Sequence, residues 1–314
     1  MDRKHRIATI GAAASAGLIA WVGLATAQDR PQGDVGLPGE IVAAASAFDA
    51  YMDHAGTING RFKDGDGVHR GLRAGVSYEM TQFEEGMIAY GAIIAVRDQP
   101  FDEGVERANR RFGGSRALAQ RLLEDPGEVM EIDGAADAAR QVSAALERRA
   151  ALVTSAGRSV KQAAYDVQHQ AWSKLNVSNP SGRLAEAKAL SSTRFVATNE
   201  DDARVMRSEL NAPPANGRED QISPVIVRSL ALAAEAVLGQ TKAEDAPRLR
   251  PLLTEGDGAF CLNMAKLNLY QCLAVAGPQY EDLFCLGQHA LIDTGECVTK
   301  AARGSRSASV AAAT

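Results

Sequence analysis

Four cysteines, Cys261, Cys272, Cys285 and Cys297, crowd into the last quarter of this chain, and the ways they can pair constrain its fold more than any other feature. Cys261 and Cys272 lie eleven residues apart in FCLNMAKLNLYQC, a stretch without Gly or Pro that reads as helix, so three turns set both thiols on nearly one face. Their Cα atoms are then roughly 16 Å apart, and a disulfide spans about 7 Å at most, so they do not bond each other. The run breaks at Gly277-Pro278, a helix-ending glycine and a proline suited to the first position of a new helix, with Glu281 and Asp282 in that helix's first turn. This is the signature of a helical hairpin.

Folding the hairpin about that turn predicts the pairing. Cys272 stands five residues before Gly277 and Cys285 seven after Pro278, whereas Cys261 stands sixteen before and Cys297 nineteen after. The arms therefore oppose inner to inner and outer to outer, giving Cys272–Cys285 and Cys261–Cys297. The other two connectivities bond within one helix or join cysteines three turns out of level. Cys285 and Cys297, twelve apart, fall about 120° off a common face on an ideal helix, and Gly295 lies between them, so the second helix is expected to loosen there.

The start of the chain supplies a redox context. Asp2-Arg3-Lys4-His5-Arg6 is a basic n-region, residues 7–27 carry no charge, and Ala25-Thr26-Ala27 forms an A-x-A cleavage site. Cleavage there starts the mature chain at Gln28 and places it in the periplasm or outside the cell, where paired cysteines are stable. The competing reading keeps the segment as an anchor, since 21 uncharged residues just span a bilayer; its Ala and Gly content favours the signal peptide.

Without residues 1–27 the chain has 31 basic against 38 acidic residues, a net charge of −7, which argues against nucleic acid or an anionic membrane surface as the main partner. A membrane partner is expected only if the N-terminal segment stays uncleaved. Aromatics make up only 5% and alanine-rich stretches dominate, a composition suited to close-packed helices.

Periodicity supports an all-α multi-helix bundle ending in the disulfide-stapled hairpin. Leu72, Val76, Met80, Phe83, Met87, Gly91 and Ile94 form one apolar stripe over residues 72–94. Val142, Leu146, Ala150, Val153, Gly157, Val160, Ala164, Val167 and Ala171 form a second, with small residues that let a neighbouring helix approach. Shorter helices are predicted near 40–54, 102–111, 115–124, 183–191, 200–210 and 244–253, and Ser223-Pro224 caps another through Leu238. No run alternates like a strand.

Polar and Gly/Pro-rich stretches divide the chain into a signal peptide (1–27), a linker (28–39), a helical bundle (40–212), a linker (213–221), a C-terminal helical module (222–302) and a disordered tail (303–314). A further loop is read at RFKDGDGV, residues 61–68.

The helix, Gly-Pro turn, helix arrangement with two cysteines per arm resembles coiled-coil-helix-coiled-coil-helix modules with twin C-x9-C motifs, whose disulfides nest in the same way. The spacings here are C-x10-C and C-x11-C, so the likeness is one of architecture. The segments LNLYQCLAVAGPQYEDLFCLGQHALIDTG and QAAYDVQHQAW resemble an uncharacterised family of exported bacterial α-helical proteins over most of the mature chain, a resemblance that implies no activity.

Several short motifs invite chemistry. Asp293-Thr294-Gly295 matches the aspartic-protease tripeptide, but Glu296 follows where a small residue belongs, and a helix end capped by Gly295 is the better reading. Asp64-Gly65-Asp66-Gly67 lacks the glycine and glutamate of a calcium loop and reads as a solvated turn. Cys285 and His289, four apart, offer an alternative metal site with Cys261 or Cys272, but export favours disulfides. Glu79, Glu84 and Glu85 beside Tyr78 and Tyr90 sit on one helix and supply no cleft for glycoside chemistry. The catalytic candidates are Tyr165, His169 and Trp172, spaced i, i+4, i+7, with Asp166 placed to orient His169. No phosphate loop, dinucleotide fingerprint or nucleophile elbow appears, and no cofactor is implied. The expected function is therefore that of an exported envelope protein acting by binding an envelope protein or small ligand, or as a structural component. The alternative is a cell-envelope hydrolase centred on His169.

Overall fold

A computed structural model describes residues 36–207, 222–254 and 256–304; the segments read from sequence as a signal peptide (1–27) and as a linker (213–221), and the expected tail beyond Gly304, lie outside the described residues. Thirteen α-helices occur among them, joined by short 3₁₀ turns and one π-helical segment, with no strand beyond an isolated bridge between Asn176 and Pro278. The all-α class follows as predicted.

The longest helix, α6 (Ala135–Asp166), is the spine. On it pack α1 (Gly39–Thr57), α3 (Met80–Ala95) and the second arm of the C-terminal hairpin. Around these lie α2 (Gly65–Val76), α4 (Gln99–Arg111), α5 (Ser115–Glu124), α7 (Pro180–Leu190) and α8 (Asn199–Met206). Beyond residue 222, α9 (Pro224–Val237) packs on α3, and α10 (Ala246–Leu249) sits among 3₁₀ turns. Residues on both sides of the 213–221 stretch bury into one continuous core running from Leu37 to Ala302. Leu37, placed by the sequence in a linker, is fully buried, and Thr241 Oγ1 hydrogen-bonds Gly36 O.

Local chemistry explains where the expected elements changed. The stripe over 72–94 is two helices, not one: the Glu79 carboxylate accepts from the backbone N–H of Thr81 and Gln82, starting α3 afresh while α2 stops at Val76. Asp64-Gly65-Asp66-Gly67 is a helix start rather than a free turn, because Asp64 Oδ1 caps Gly67 N at 2.7 Å. The seam over 142–171 is buried through Val167, but α6 ends at Asp166 and Ala171 is exposed. There the buried Ser173 hydroxyl reaches the carbonyls of Val167 and Gln170 and locks two successive 3₁₀ turns, Val167–His169 and Trp172–Lys174. The 244–253 helix is broken into α10 and flanking 3₁₀ turns around Pro247 and Pro251. The Ser223-Pro224 start holds, with Ser223 Oγ accepting from Ile226 N at 3.1 Å.

The hairpin itself is formed by α11 (Gly256–Val275), α12 (Gln279–Cys285), the π segment Leu286–Ile292 and α13 (Asp293–Arg303). Pro278 is the N-cap of α12 rather than its first residue, and Glu281 reaches back to the Gly277 N–H at 2.8 Å. Both predicted disulfides are present: Cys261–Cys297 with Cα atoms 5.6 Å apart and Cys272–Cys285 at 5.7 Å. The expected loosening lies at the π segment, upstream of Gly295. A widened i→i+5 turn winds roughly 80° per residue instead of about 100°, so seven such residues recover most of the 120° misalignment between Cys285 and Cys297. Gly295 instead lets α13 press onto α6, since a Cβ there would lie 2.3 Å from Thr154 Oγ1 and 3.0 Å from Ala150 O. Arg303, assigned by sequence to the tail, belongs to α13 and pairs with Glu147 at 2.9 Å.

The bonds close sequence separations of 36 and 13 residues. Loss of the outer bond should cost on the order of 3 kcal/mol, less because the inner loop nests within the outer. Cys261→Ser and Cys297→Ser should lower the unfolding midpoint equally, and the double variant little further, since either change breaks the same bond. Denaturant titration of the three variants checks this.

Candidate functional site

The π segment presents the most organised polar cluster on the hairpin. Just past Cys285 the wide turn places His289 above the first residue of α13, and His289 Nδ1 lies 2.8 Å from Asp293 Oδ2. Gln288 Nε2 donates to the other Asp293 oxygen at 2.8 Å, and Asn268 of α11 hydrogen-bonds the same carboxylate. From α6, Lys161 Nζ donates to Gln288 Oε1 at 2.7 Å and stands 5.4 Å over the Phe284 ring. Phe284 meets the His289 imidazole edge-on at 6.3 Å, and Tyr165 meets Phe284 edge-on at 6.4 Å. Residues from α6, α11, α12, the π segment and α13 thus converge on one surface, and π segments recur at functional sites.

The electrostatics are defined. Burial pushes the Asp293 carboxyl up, but hydrogen bonds from His289, Gln288 and Asn268 outweigh it and hold the group below the ordinary carboxylate range. An ionised acceptor requires the proton on Nδ1, so a neutral ring turns its Nε2 lone pair outward. Nε2 has no hydrogen-bond partner among the described residues, and the imidazole side chain is 22% exposed. This is an oriented acceptor at the surface. The neighbouring Thr294 hydroxyl is committed elsewhere, to the buried Tyr78 OH at 3.2 Å.

The sequence candidates distribute differently. Tyr165 is half exposed in the last turn of α6; His169, exposed, ends a 3₁₀ turn, and Trp172 opens the next, half-buried against the core. Because α6 stops at Asp166, before His169 and Trp172, the i, i+4, i+7 face they were read from does not form, and only Tyr165 joins the cluster. Asp166 accepts from Gln162 at 2.9 Å, and the Trp172 indole N–H donates to Gln170. Cys285 lies in a disulfide and presents no thiolate beside His289, and no group of three His, Cys, Asp or Glu residues gathers for a metal among the described residues. Tyr78, Glu84 and Tyr90 are buried, while Glu79 caps α3 and Glu85 pairs with Arg194 at 3.1 Å. Asp293-Thr294-Gly295 opens a helix instead of closing one, which corrects the expected C-terminal cap.

The H-x3-D spacing of His289 and Asp293 was the one signal that could have located this pair from sequence, because side chains four apart meet on a helical face. A separate cleft of about 130 Å³ lies between α4, α5 and the 3₁₀ turn Pro126–Glu131. That is below the range of about 300–1,000 Å³ usual for ligand sites. Its Arg107 is held by Asp133 at 3.1 Å, and Arg121 nearby by Glu128 at 2.6 Å. Compared with known proteins, the chain matches no family model, no curated protein and no solved structure.

Proposed function

We propose that this chain is an exported, periplasmic or secreted component of the cell envelope that acts by binding, and that it meets its partner through the surface formed by Tyr165, Phe284, His289 and Asp293. The observation that carries the reading is the form of this surface. An oriented imidazole and a partly exposed aromatic pair stand on open helix faces, an arrangement suited to docking a partner. Two disulfides fit a non-reducing compartment, and no described helix is long and apolar enough to cross a membrane. The cluster is held rigid by the disulfides behind it, which lowers the ordering cost of association.

The test is site-specific cross-linking in intact cells. A photoreactive residue replacing the exposed Tyr165 should yield a discrete adduct, and His289→Ala in the same chain should reduce that adduct about three- to tenfold, the loss expected of one neutral hydrogen bond. A photoreactive residue at Arg111, beside the other cleft, is the control. An adduct of equal yield at both positions, or one indifferent to His289→Ala, would remove the proposal.

A further inference from the structure

The α11 helix is apolar on two opposite faces. Leu262, Ala265, Leu269, Leu273 and Ala276 are buried in the core on one side. On the other, Phe260, Met264, Leu267, Gln271 and Ala274 are all exposed, with Phe260 68% and Leu267 42% accessible. Their steps of four, three, four and three make a heptad seam, the spacing of helices that pair side by side. Gln271 and the neighbouring exposed Asn263 are the polar members of this outer face, which is otherwise apolar. From Phe260 to Val275 the only charged residue is Lys266, and it is buried, its Nζ donating to Tyr78 O at 2.6 Å and Ser191 O at 2.7 Å.

We infer that the outward seam of α11 is the interface for a second copy of this chain, docked antiparallel about a two-fold axis at Leu267. Size and symmetry fit. The axis sets Leu267 against its own counterpart, Phe260 against the second copy's Ala274, and Met264 against its Gln271, so a bulky residue meets a small one at each end. The seam runs about 21 Å along the helix, and with Val275, 84% exposed, it offers roughly 500 Å² per copy, or about 1,000 Å² for a pair, the lower bound for a specific interface and the size of a concentration-dependent one.

Charge favours a second copy over a lipid surface. The strip itself carries no charge that would oppose the same strip of a second copy, whereas an interfacial membrane helix needs flanking Lys or Arg that the strip lacks. Cys261 and Cys272 tie α11 to the second arm, so the seam is rigid before association. This inference stands apart from the proposed binding surface, although Asn268 beside Leu267 touches Asp293, so a second copy would wall one edge of it.

Sedimentation of the purified full chain over a concentration series tests this. A concentration-dependent dimer is expected, and Leu267→Asp should weaken it at least about 100-fold, because the symmetric contact places two carboxylates face to face. An unchanged melting temperature of the monomeric variant would show that the fold is intact. Leu267→Cys should cross-link to itself under mild oxidation, whereas Val196→Cys, at a still more exposed position, should not. A monomer at every concentration, a dimer indifferent to Leu267→Asp, or Leu267-dependent adsorption to lipid vesicles in place of dimerisation would overturn the inference.

Discussion

Replacing Gly287 with alanine is expected to cost at least about 3 kcal/mol of folding free energy, although alanine is the better helix former by about 1 kcal/mol. A Cβ at this position would lie 2.5 Å from the backbone N of Lys161 and 2.9 Å from the Gly157 carbonyl oxygen. Both obstacles are main-chain atoms of α6, so no side-chain rotation relieves them. The π segment would have to lift off the spine and open the contact that buries Leu286, Ala290 and Leu291. Gly277, at the tip of the same hairpin, is the matched control: its nearest obstacle is Asn176 Oδ1 at 3.5 Å and its φ is not positive. Gly277→Ala should change stability by no more than about 0.5 kcal/mol. Equal effects of the two substitutions in urea titrations would show that the α6 contact is looser than described.

Arg183→Met should cost about 3–5 kcal/mol at neutral pH, the loss expected when one partner of a buried ion pair is removed. Arg183, 6% exposed on α7, pairs through Nη1 with Asp282, 3% exposed on α12, and through Nη2 holds the Leu273 and Ala276 carbonyls that end α11. One guanidinium therefore fastens α7 to both arms of the hairpin at its turn. Burial, only partly offset by Arg183, pushes the Asp282 carboxyl up to about 6 from 3.8. The folded chain holds the extra proton between those values, so this group's contribution to stability falls as pH rises from about 4 to about 6. Removing the arginine withdraws the offset, and the variant's deficit should be largest near about pH 8 and less than half as large near about pH 5, where Asp282 is neutral. Adding Asp282→Leu should restore most of the loss at the higher pH, because an apolar pair replaces an orphaned charge. A deficit that is the same at both pH values would show that the arginine acts through its carbonyl contacts alone.

The all-α class and the nested disulfides were legible because both depend on local quantities: residue spacing along a helix, a breaking Gly-Pro pair, and the reach of a disulfide. The apolar seam of α6 was legible for the same reason, and its small residues meet glycines of the partner as expected, Gly157 against Gly287 and Ala150 against Gly295. The candidate site was only half visible. His289 and Asp293 drew notice as members of other motifs, but Lys161 and Asn268 reach the cluster from α6 and α11, and no local pattern relates them. The Tyr165, His169 and Trp172 set erred in the opposite sense, since a periodic pattern continued past Asp166 while Ser173, buried by its neighbours, closed the helix into 3₁₀ turns.

Sequence alone determined that the chain is helical, where most of its apolar stripes run, and which cysteine faces which, because propensity, periodicity and covalent reach act over a few turns of one chain segment. Tertiary structure decided the rest. Glu79 splits an apparently continuous stripe so that Tyr78 can be buried beside Tyr51 and Phe83. The π segment takes up the misfit between an α-helical period and two fixed disulfides while its glycine rides on α6. Asp49 on α1, fully buried, is tolerated because Arg149 on α6 and Arg204 on α8 converge on it from residues 100 and 155 positions away. Such partners are fixed by the global packing of apolar faces, and a buried charge or a close backbone approach has meaning only once that packing has brought its counterpart within a few ångströms.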